Sequence, residues 1–338
     1  MLKLGETVRA FCSFPWNRLK VTCEGDVTMC CFHQRGCLGN LLVTPLEEIW
    51  NGPVAQDIRR VTLTNRLHST CAAATCPFIS KQHRLPTFVH QFGDIGVPYG
   101  LEIDLPTQHC NIGGENPTPD NPACIMCERH TRFTPQVDRL NEVCAVLRPY
   151  MKWMRGVHIQ GVSEPFWKDR IFEISEMLEL ERWKHRMHIT TTTNGTILTR
   201  QRQLKWLSFP KSTLTFSLDA STPETFRKIR RWDYYDKIVA HMMEFTQLRG
   251  PTQSLKIHNN INTLNVDEVV GMVELAKKVR ADFLEFNPTY ACPEIEVNSQ
   301  NANRFYVAEQ QIREAAAKLG VNVSFLQSLS LNYVTLTV

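Results

Sequence analysis

The chain has 338 residues, 43% of them hydrophobic and 21% charged, with a formal net charge of +4. That composition can bury a sizeable core and supports two domains, or one large and one small. So slight a positive excess argues against nucleic acid or an anionic membrane as the main partner. No run of ~18 apolar residues suggests a membrane span. The start, Met1-Leu2-Lys3-Leu4-Gly5-Glu6, has no secretory-signal core, so a cytoplasmic protein is expected.

Twelve cysteines are then unusual. In a long intracellular chain, clustered cysteines bind metal or carry redox chemistry more often than they form disulfides. Cys12, Cys23, Cys30, Cys31, Cys37, Cys71 and Cys76 crowd the first quarter. Cys110, Cys124 and Cys127 form a second group, and Cys144 and Cys292 stand alone.

In chain order, the first segment (1–95) offers short β-like pieces at Leu19–Thr22 and Val27–Cys31, split by the turn Glu24-Gly25-Asp26, and a short helix at Pro45–Asn51. Its apolar runs are too brief for a good core, so a metal staple is plausible there. From about residue 97, β-rich apolar runs predict strands at Leu101–Leu105, Gly156–Gln160, His188–Thr192, Leu214–Leu218, Leu255–Ile261 and Phe283–Phe286. Amphipathic stretches between them predict helices at Pro135–Met151, Phe166–Trp183, Thr199–Trp206, Thr222–Arg230, Tyr235–Leu248 and Val266–Val279. Asn265 with Glu268 three residues on reads as a capping arrangement for the last. The basic run Arg227, Lys228, Arg230 and Arg231 reads as a solvated helix face. A helix at Asn301–Leu319 and a strand at Val321–Phe325 close the chain.

Six βα repeats imply an α/β fold with a parallel sheet and helices outside it. Six is short of a full eight-fold barrel, so a partial (β/α)6 TIM-like barrel is expected at 96–300, preceded by a small cysteine-rich domain at 1–95 and completed by residues 301–338. Functional groups belong at the C-terminal ends of the strands.

Cys110 follows the first barrel strand, and Cys124-Ile125-Met126-Cys127 comes after a polar, Gly- and Pro-rich loop. Three thiolates suit an iron–sulfur cluster. A zinc site is the second reading, although structural zinc usually takes four ligands, and thiols without metal are the third.

With these residues quoted, the chain resembles the radical SAM superfamily. Its members carry Cys-x3-Cys-x2-Cys after the first strand, commonly with Asn after the first Cys. Here Cys110-Asn111-Ile112 and Cys124-Ile125-Met126-Cys127 are kept, with the spacing lengthened to Cys-x13-Cys-x2-Cys. Gln160-Gly161-Val162-Ser163-Glu164-Pro165 resembles the family's Gly-Gly-Glu-Pro turn, with Val162-Ser163 in place of the second Gly. Thr193-Asn194-Gly195, Ser217-Leu218-Asp219 and Asn260-Ile261-Asn262 close strands three to five. The resemblance covers about 97–290. It implies a [4Fe-4S] cluster on Cys110, Cys124 and Cys127, with one iron left for S-adenosylmethionine and its reductive cleavage to a 5′-deoxyadenosyl radical. Met126, Gly161, Ser163, Glu164, Asn194, Ser217, Asp219, Arg227, Arg230 and Asn262 would surround that cofactor.

The first segment resembles SPASM and the shorter twitch modules. It shares Gly25-Asp26-Val27-Thr28-Met29-Cys30-Cys31, Gly39-Asn40, Glu47-Glu48-Ile49-Trp50 and the late pair Cys71 and Cys76. That likeness implies one auxiliary [4Fe-4S] cluster on Cys12, Cys30, Cys71 and Cys76, with Cys31 as the alternative to Cys30. Cys144 reads as helix core, and Cys292 as a bystander more than a ligand or hydrogen-atom donor. The expected activity is hydrogen abstraction from a peptide, giving an oxidation, cross-link or epimer, with flavodoxin or ferredoxin as electron donor. A sugar or metabolite dehydrogenase or rearranging enzyme is the alternative. A non-enzymatic zinc-stabilised binding module is the alternative of another class.

Overall fold

The computed structural model describes residues 7–10, 12–31, 36–64, 66, 68–71, 88–91, 98–107, 110, 124–127, 136–289 and 292–325. The chain divides into two compact units: residues 1–106, 136–161 and 170–189 form the first, and 107–135, 162–169 and 190–338 the second.

The first unit runs β1 (Thr7–Ala10), α1 (Phe14–Asn17), β2 (Arg18–Val21), β3 (Asp26–Thr28), β4 (Gly39–Asn40), α2 (Leu46–Asn51), α3 (Pro53–Leu63), β5 (Phe88–Gln91), β6 (Gly100–Asp104), α4 (Leu140–Leu147), β7 (Gly156–Gln160), α5 (Arg170–Met177) and α6 (Leu180–Trp183). β1 and β5 form an antiparallel ribbon. The other strands lie in the order β4-β3-β2-β6-β7. β2 pairs parallel with β6, Lys20 opposite Glu102, and β6 pairs parallel with β7, Glu102 opposite His158. The cysteine-rich segment therefore shares a sheet with the first predicted barrel strand, and the compact unit does not end at residue 95.

A charged row stitches that junction. Glu102 is buried, and its carboxylate lies 3.4 Å from Arg18, 3.6 Å from Lys20 and 2.7 Å from Gln160 Nε2. Lys20 also meets Asp104 at 2.6 Å. Leu101, Ile103, Val157 and Ile159 are buried, as are Leu140, Val143, Cys144 and Leu147 of α4. Burial pushes the Cys144 thiol up to about 12, in line with a core cysteine.

Two predicted helices differ in form. α4 stops at Leu147 and continues as a 3-10 turn over Arg148–Lys152. Pro149 stands at the change and has no N–H to give an α-helix. The helix expected over Phe166–Trp183 is broken by left-handed backbone at Lys168, Asp169 and Glu179, leaving α5 and α6. Pro135 lies outside the described residues.

The second unit runs β8 (His188–Thr193, entering it from residue 190), α7 (Arg200–Trp206), β9 (Ser212–Ser217), α8 (Pro223–Arg230), α9 (Tyr235–Leu248), β10 (Gln253–Ile261), α10 (Val269–Lys278), β11 (Phe283–Pro288), α11 (Ala302–Leu319) and β12 (Val323–Phe325). β9, β10, β11 and β12 pair parallel in that order. Strand followed by helix on one side of a parallel sheet is the repeat of a partial α/β barrel. Thr199 and Thr222 cap α7 and α8 by accepting from Arg202 N and Thr225 N.

The capping arrangement expected at Asn265 is absent. Asn265 makes no side-chain cap, and a 3-10 turn over Val266–Glu268 precedes α10. Glu268 is drawn instead to Ser221, Thr222 and Thr225, with Ser221 N and Oγ at 3.1 Å and Thr222 Oγ1 at 2.8 Å. Three hydroxyls and a backbone donor outcompete one backbone N–H.

β10 explains the two faces of this sheet. Leu255, Ile257 and Ile261 are buried, while Lys256, His258 and Asn260 alternate with them and stay half-exposed. The buried face carries the aromatic core, with Phe216 edge-on to Phe245 at 6.4 Å and Phe286 stacked on Phe325 at 5.8 Å. The opposite face is polar, carrying Lys256, His258 and Asn260.

Candidate active site

Cys124, Ile125, Met126 and Cys127 form a tight turn closed by a 2.9 Å bond from Cys127 N–H to the Cys124 carbonyl. Cys124 is buried; Cys110, Met126 and Cys127 are half-buried. The turn is pinned on both sides. Ile125 N–H donates to the carbonyl of Ile229 in α8 at 2.9 Å, and Cys292 Sγ lies 3.7 Å from the Ile125 carbonyl. The link from Cys292 was not expected from the sequence. The loop 111–123 lies outside the described residues. Among the described residues, no set of three His, Cys, Asp or Glu side chains is gathered closely enough to hold a metal ion.

Arg230 occupies the centre of the arrangement. It is only 8% exposed, unlike Arg227, Lys228 and Arg231, so the basic run is a solvated face at three of its four positions. Its Nη1 donates to Cys124 Sγ at 3.7 Å, and its Nη2 donates to the Ser217 carbonyl at 3.1 Å and to Ser217 Oγ at 2.7 Å. It also forms an ion pair with the fully buried Asp219. Burial works against the guanidinium charge, but Asp219 and Cys124 outweigh it and hold the group further toward protonation than usual. Asp219 is placed by the Asn260 N–H, 2.8 Å from its Oδ1.

Helical spacing carried the missing signal. Phe226, Ile229 and Arg230 sit at i, i+3 and i+4, and all three are buried. Arg227 faces outward and pairs with exposed Asp233 at 3.1 Å.

Glu164 anchors the other half. It is completely buried and accepts from Thr193 Oγ1 at 2.7 Å, Asn194 N at 2.6 Å and Phe166 N at 3.2 Å. Burial raises its pKa to about 7, against the lowering pull of those three hydrogen bonds. Gly161, with φ +148°, lets the chain leave β7 for this bend. Asn194 closes the next turn through Thr196 N at 2.9 Å and Thr196 Oγ1 at 2.6 Å. Gly195 follows at φ +75°, where a Cβ would stand 2.9 Å from Phe216 Cδ1.

Asn262 is buried and shapes the turn after β10. Its Nδ2 donates to Asn260 O at 3.2 Å, and its Oδ1 accepts from Leu264 N at 3.0 Å. The structure thus brings Cys124, Ser217, Asp219 and Arg230 together, and Glu164 with Asn194. It turns Asn262 to a local role and leaves Arg227 at the surface.

The polar wall supplies groups that the sequence reading did not single out. His258 Nδ1 and Lys256 Nζ lie 3.1 Å and 2.7 Å from Glu285 Oε1. Burial alone would raise the Glu285 pKa, but the His258 hydrogen bond and the Lys256 charge bring it down to about 2. The alternation Lys256, His258, Asn260 along one strand was the available signal.

The donor set fits the implied cofactors. Buried polar atoms with no partner occur at Ser163 Oγ, Arg230 Nε, Asn287 Oδ1 and Thr289 Oγ1. Such groups are costly unless a ligand meets them. Ser163 follows β7 in the chain, Asn287 lies at the C-terminal end of β11, and Thr289 just follows it. Thiolate sulfurs with an N–H donor at one of them suit an iron–sulfur cluster. In the first segment Cys12, Cys30 and Cys71 are half-buried, and Cys76 lies outside the described residues.

Residues 12–77 match the SPASM family, described as an iron–sulfur cluster-binding domain. No curated protein matches the chain. Among solved structures, Streptococcus suis SuiB bound to precursor peptide SuiA aligns with a TM-score of 0.50 at 11% identity, over 94% of this chain and 72% of that one. Native anSMEcpe with bound AdoMet and the Cp18Cys peptide aligns with a TM-score of 0.51 at 16% identity, over 67% of this chain and 62% of that one. Against SuiB bound to S-adenosylmethionine the match covers 68% of this chain and 47% of the other, so this chain spans about half of that length. These likenesses establish a shared fold. No helix among the described residues is long and apolar enough to cross a membrane.

Proposed function

We propose that this chain, with a SPASM-type iron–sulfur segment and a fold shared with SuiB and anSMEcpe, is a radical SAM enzyme acting on a peptide. Cys110, Cys124 and Cys127 are the ligands of a [4Fe-4S] cluster that keeps one iron for S-adenosylmethionine. Cys12, Cys30, Cys71 and Cys76 hold an auxiliary [4Fe-4S] cluster. When bound, the first cluster supplies the electron that cleaves S-adenosylmethionine and starts hydrogen abstraction.

The protein's own work is positional. Arg230 and the Ile125–Ile229 bond fix the Cys124 thiol, and Glu164 braces the two turns through Asn194 and Thr193. Ser163 Oγ and Thr289 Oγ1 are polar groups ready for a ligand. The wall of Lys256, His258, Asn260 and Glu285 offers donors and acceptors to a peptide backbone. The observation that carries the reading is the cysteine turn locked against α8 beside a buried guanidinium. SuiB with a precursor peptide and anSMEcpe with a peptide support the substrate class. A flavodoxin or ferredoxin would deliver the electron.

Anaerobic purification, iron and sulfide analysis, and assay of S-adenosylmethionine cleavage with dithionite test this reading. Iron with sulfide and cleavage are expected. Stoichiometric zinc without sulfide would overturn it. The substrate class is tested by adding peptides or sugars and following which of them increases 5′-deoxyadenosine release.

A further inference from the structure

We infer that Arg230 is a positioning residue that sets the electron affinity of the cluster at Cys124, and that it is not the receptor for the cofactor's carboxylate. The inference rests on the reading that Cys124 is a cluster ligand. Arg230 reaches the Cys124 sulfur with Nη1, and its other terminal nitrogen already serves Ser217 and Asp219. Only Nε is left without a partner, and because the guanidinium charge is already offset by the fully buried Asp219, a second carboxylate placed there would be an uncompensated anion in a dry site, which is costly. Its charge is therefore committed before any ligand arrives.

What the pair still offers is direction. The positive end of the Arg230–Asp219 dipole is the end that touches the sulfur. Hydrogen bonds to cluster sulfurs and nearby charge are main determinants of cluster potential, and a donor at sulfur favours the reduced form. Asp219 and Ser217, at the C-terminal end of β9 or just beyond it, hold the cation in place, and Asn260 holds Asp219 from β10. One charge pair thus links two strands and α8 to one thiolate.

Opposite changes to the pair give opposite shifts. In Arg230→Gln/Asp219→Asn both charges go, so no lone carboxylate is buried. In Asp219→Asn the cation stays without its counter-charge. Arg230→Lys keeps a cation in place. The readout is the midpoint potential of the cluster whose electron paramagnetic resonance signal changes on adding S-adenosylmethionine, measured before that addition. This choice separates it from an auxiliary cluster.

The double variant is expected to lose at least tenfold in the reduction equilibrium, about 59 mV more negative for one electron. Asp219→Asn is expected to move the other way, and Arg230→Lys to stay within threefold of the parent. S-adenosylmethionine affinity, followed by calorimetry, is expected to change less than threefold in Arg230→Lys. Shifts of the same sign in the first two variants would overturn the inference. So would unchanged potentials accompanied by a large loss of cofactor affinity. A parent protein without any S-adenosylmethionine-responsive cluster would instead defeat the functional reading on which this rests.

Discussion

Replacing Glu164 by Gln turns one buried carboxyl into a neutral isostere, and the consequence depends on pH in a calculable way. The carboxyl is wholly buried and its pKa is raised from 4.5 to about 7. Below pH 4.5 the group is protonated in both folded and unfolded chains and costs nothing. As pH rises toward 7 the unfolded chain releases the proton while the folded one keeps it, so folding is progressively disfavoured. Above about 7 both are ionised and the cost is complete, about 3 kcal/mol from the difference between the two pKa values.

Glu164→Gln removes that term but puts an amide NH2 where Asn194 N–H or the Thr193 hydroxyl needs an acceptor, a loss of about 1–2 kcal/mol at every pH. The variant should therefore be less stable than the parent at pH 5 and equal or more stable at pH 8. Urea unfolding midpoints of both proteins, taken anaerobically at pH 5, 6, 7 and 8, check the crossover. A stability difference that stays constant across that range would refute the reasoning, because Glu164 would then titrate at its ordinary value.

Replacing Cys110, Cys124 and Cys127 by Ala is expected to abolish S-adenosylmethionine cleavage, measured as 5′-deoxyadenosine. Replacing Cys71 and Cys76 should spare cleavage and stop product formation, and full product turnover in that variant would reject a working auxiliary cluster. Gly195→Ala places a methyl against Phe216 and Ile238 on left-handed backbone and should cost about 1–3 kcal/mol in urea unfolding. Glu268→Ala strips the shared acceptor from Ser221, Thr222 and Thr225 and should cost about 2–3 kcal/mol. A change under about 0.5 kcal/mol would mean that water replaces the carboxylate at no penalty.

Much of the architecture was legible because it is local. The β-rich apolar runs at Gly156–Gln160 and Leu255–Ile261 alternate with amphipathic helical stretches, an order that places strands in parallel with helices outside, and α9 at Tyr235–Leu248 follows from its amphipathic stripe. What escaped depends on partners far along the chain. Asn265 and Glu268 satisfy the pattern of a capping box, yet Glu268 finds hydroxyls more than forty positions earlier. Lys20 and Glu102 pair across a separation that no periodicity reports.

The same holds at the site. The cysteine spacing pointed to the chemistry, and Ser217, Asp219 and Arg230 were all named from the sequence. Their mutual engagement was not visible there, because four basic residues within five positions look uniformly solvated until the fold shows which one lies on the apolar stripe. Nor does the sequence show that Asn262 shapes its own turn, bonding Asn260 O and Leu264 N, because a polar residue at a strand end suits a turn as readily as a ligand.

The parallel pairing of β2 with β6 has a practical corollary for anyone dissecting this molecule. An expression fragment beginning near residue 96 would strip β6 of its neighbour, leaving bare amide and carbonyl groups along one margin and Glu102 without its lysine and arginine. Such a margin recruits foreign strands and promotes clumping. The cysteine-rich segment therefore serves as a fitted side panel for the sheet as well as a candidate carrier of metal, and trimming it away would confound loss of a cofactor with loss of solubility.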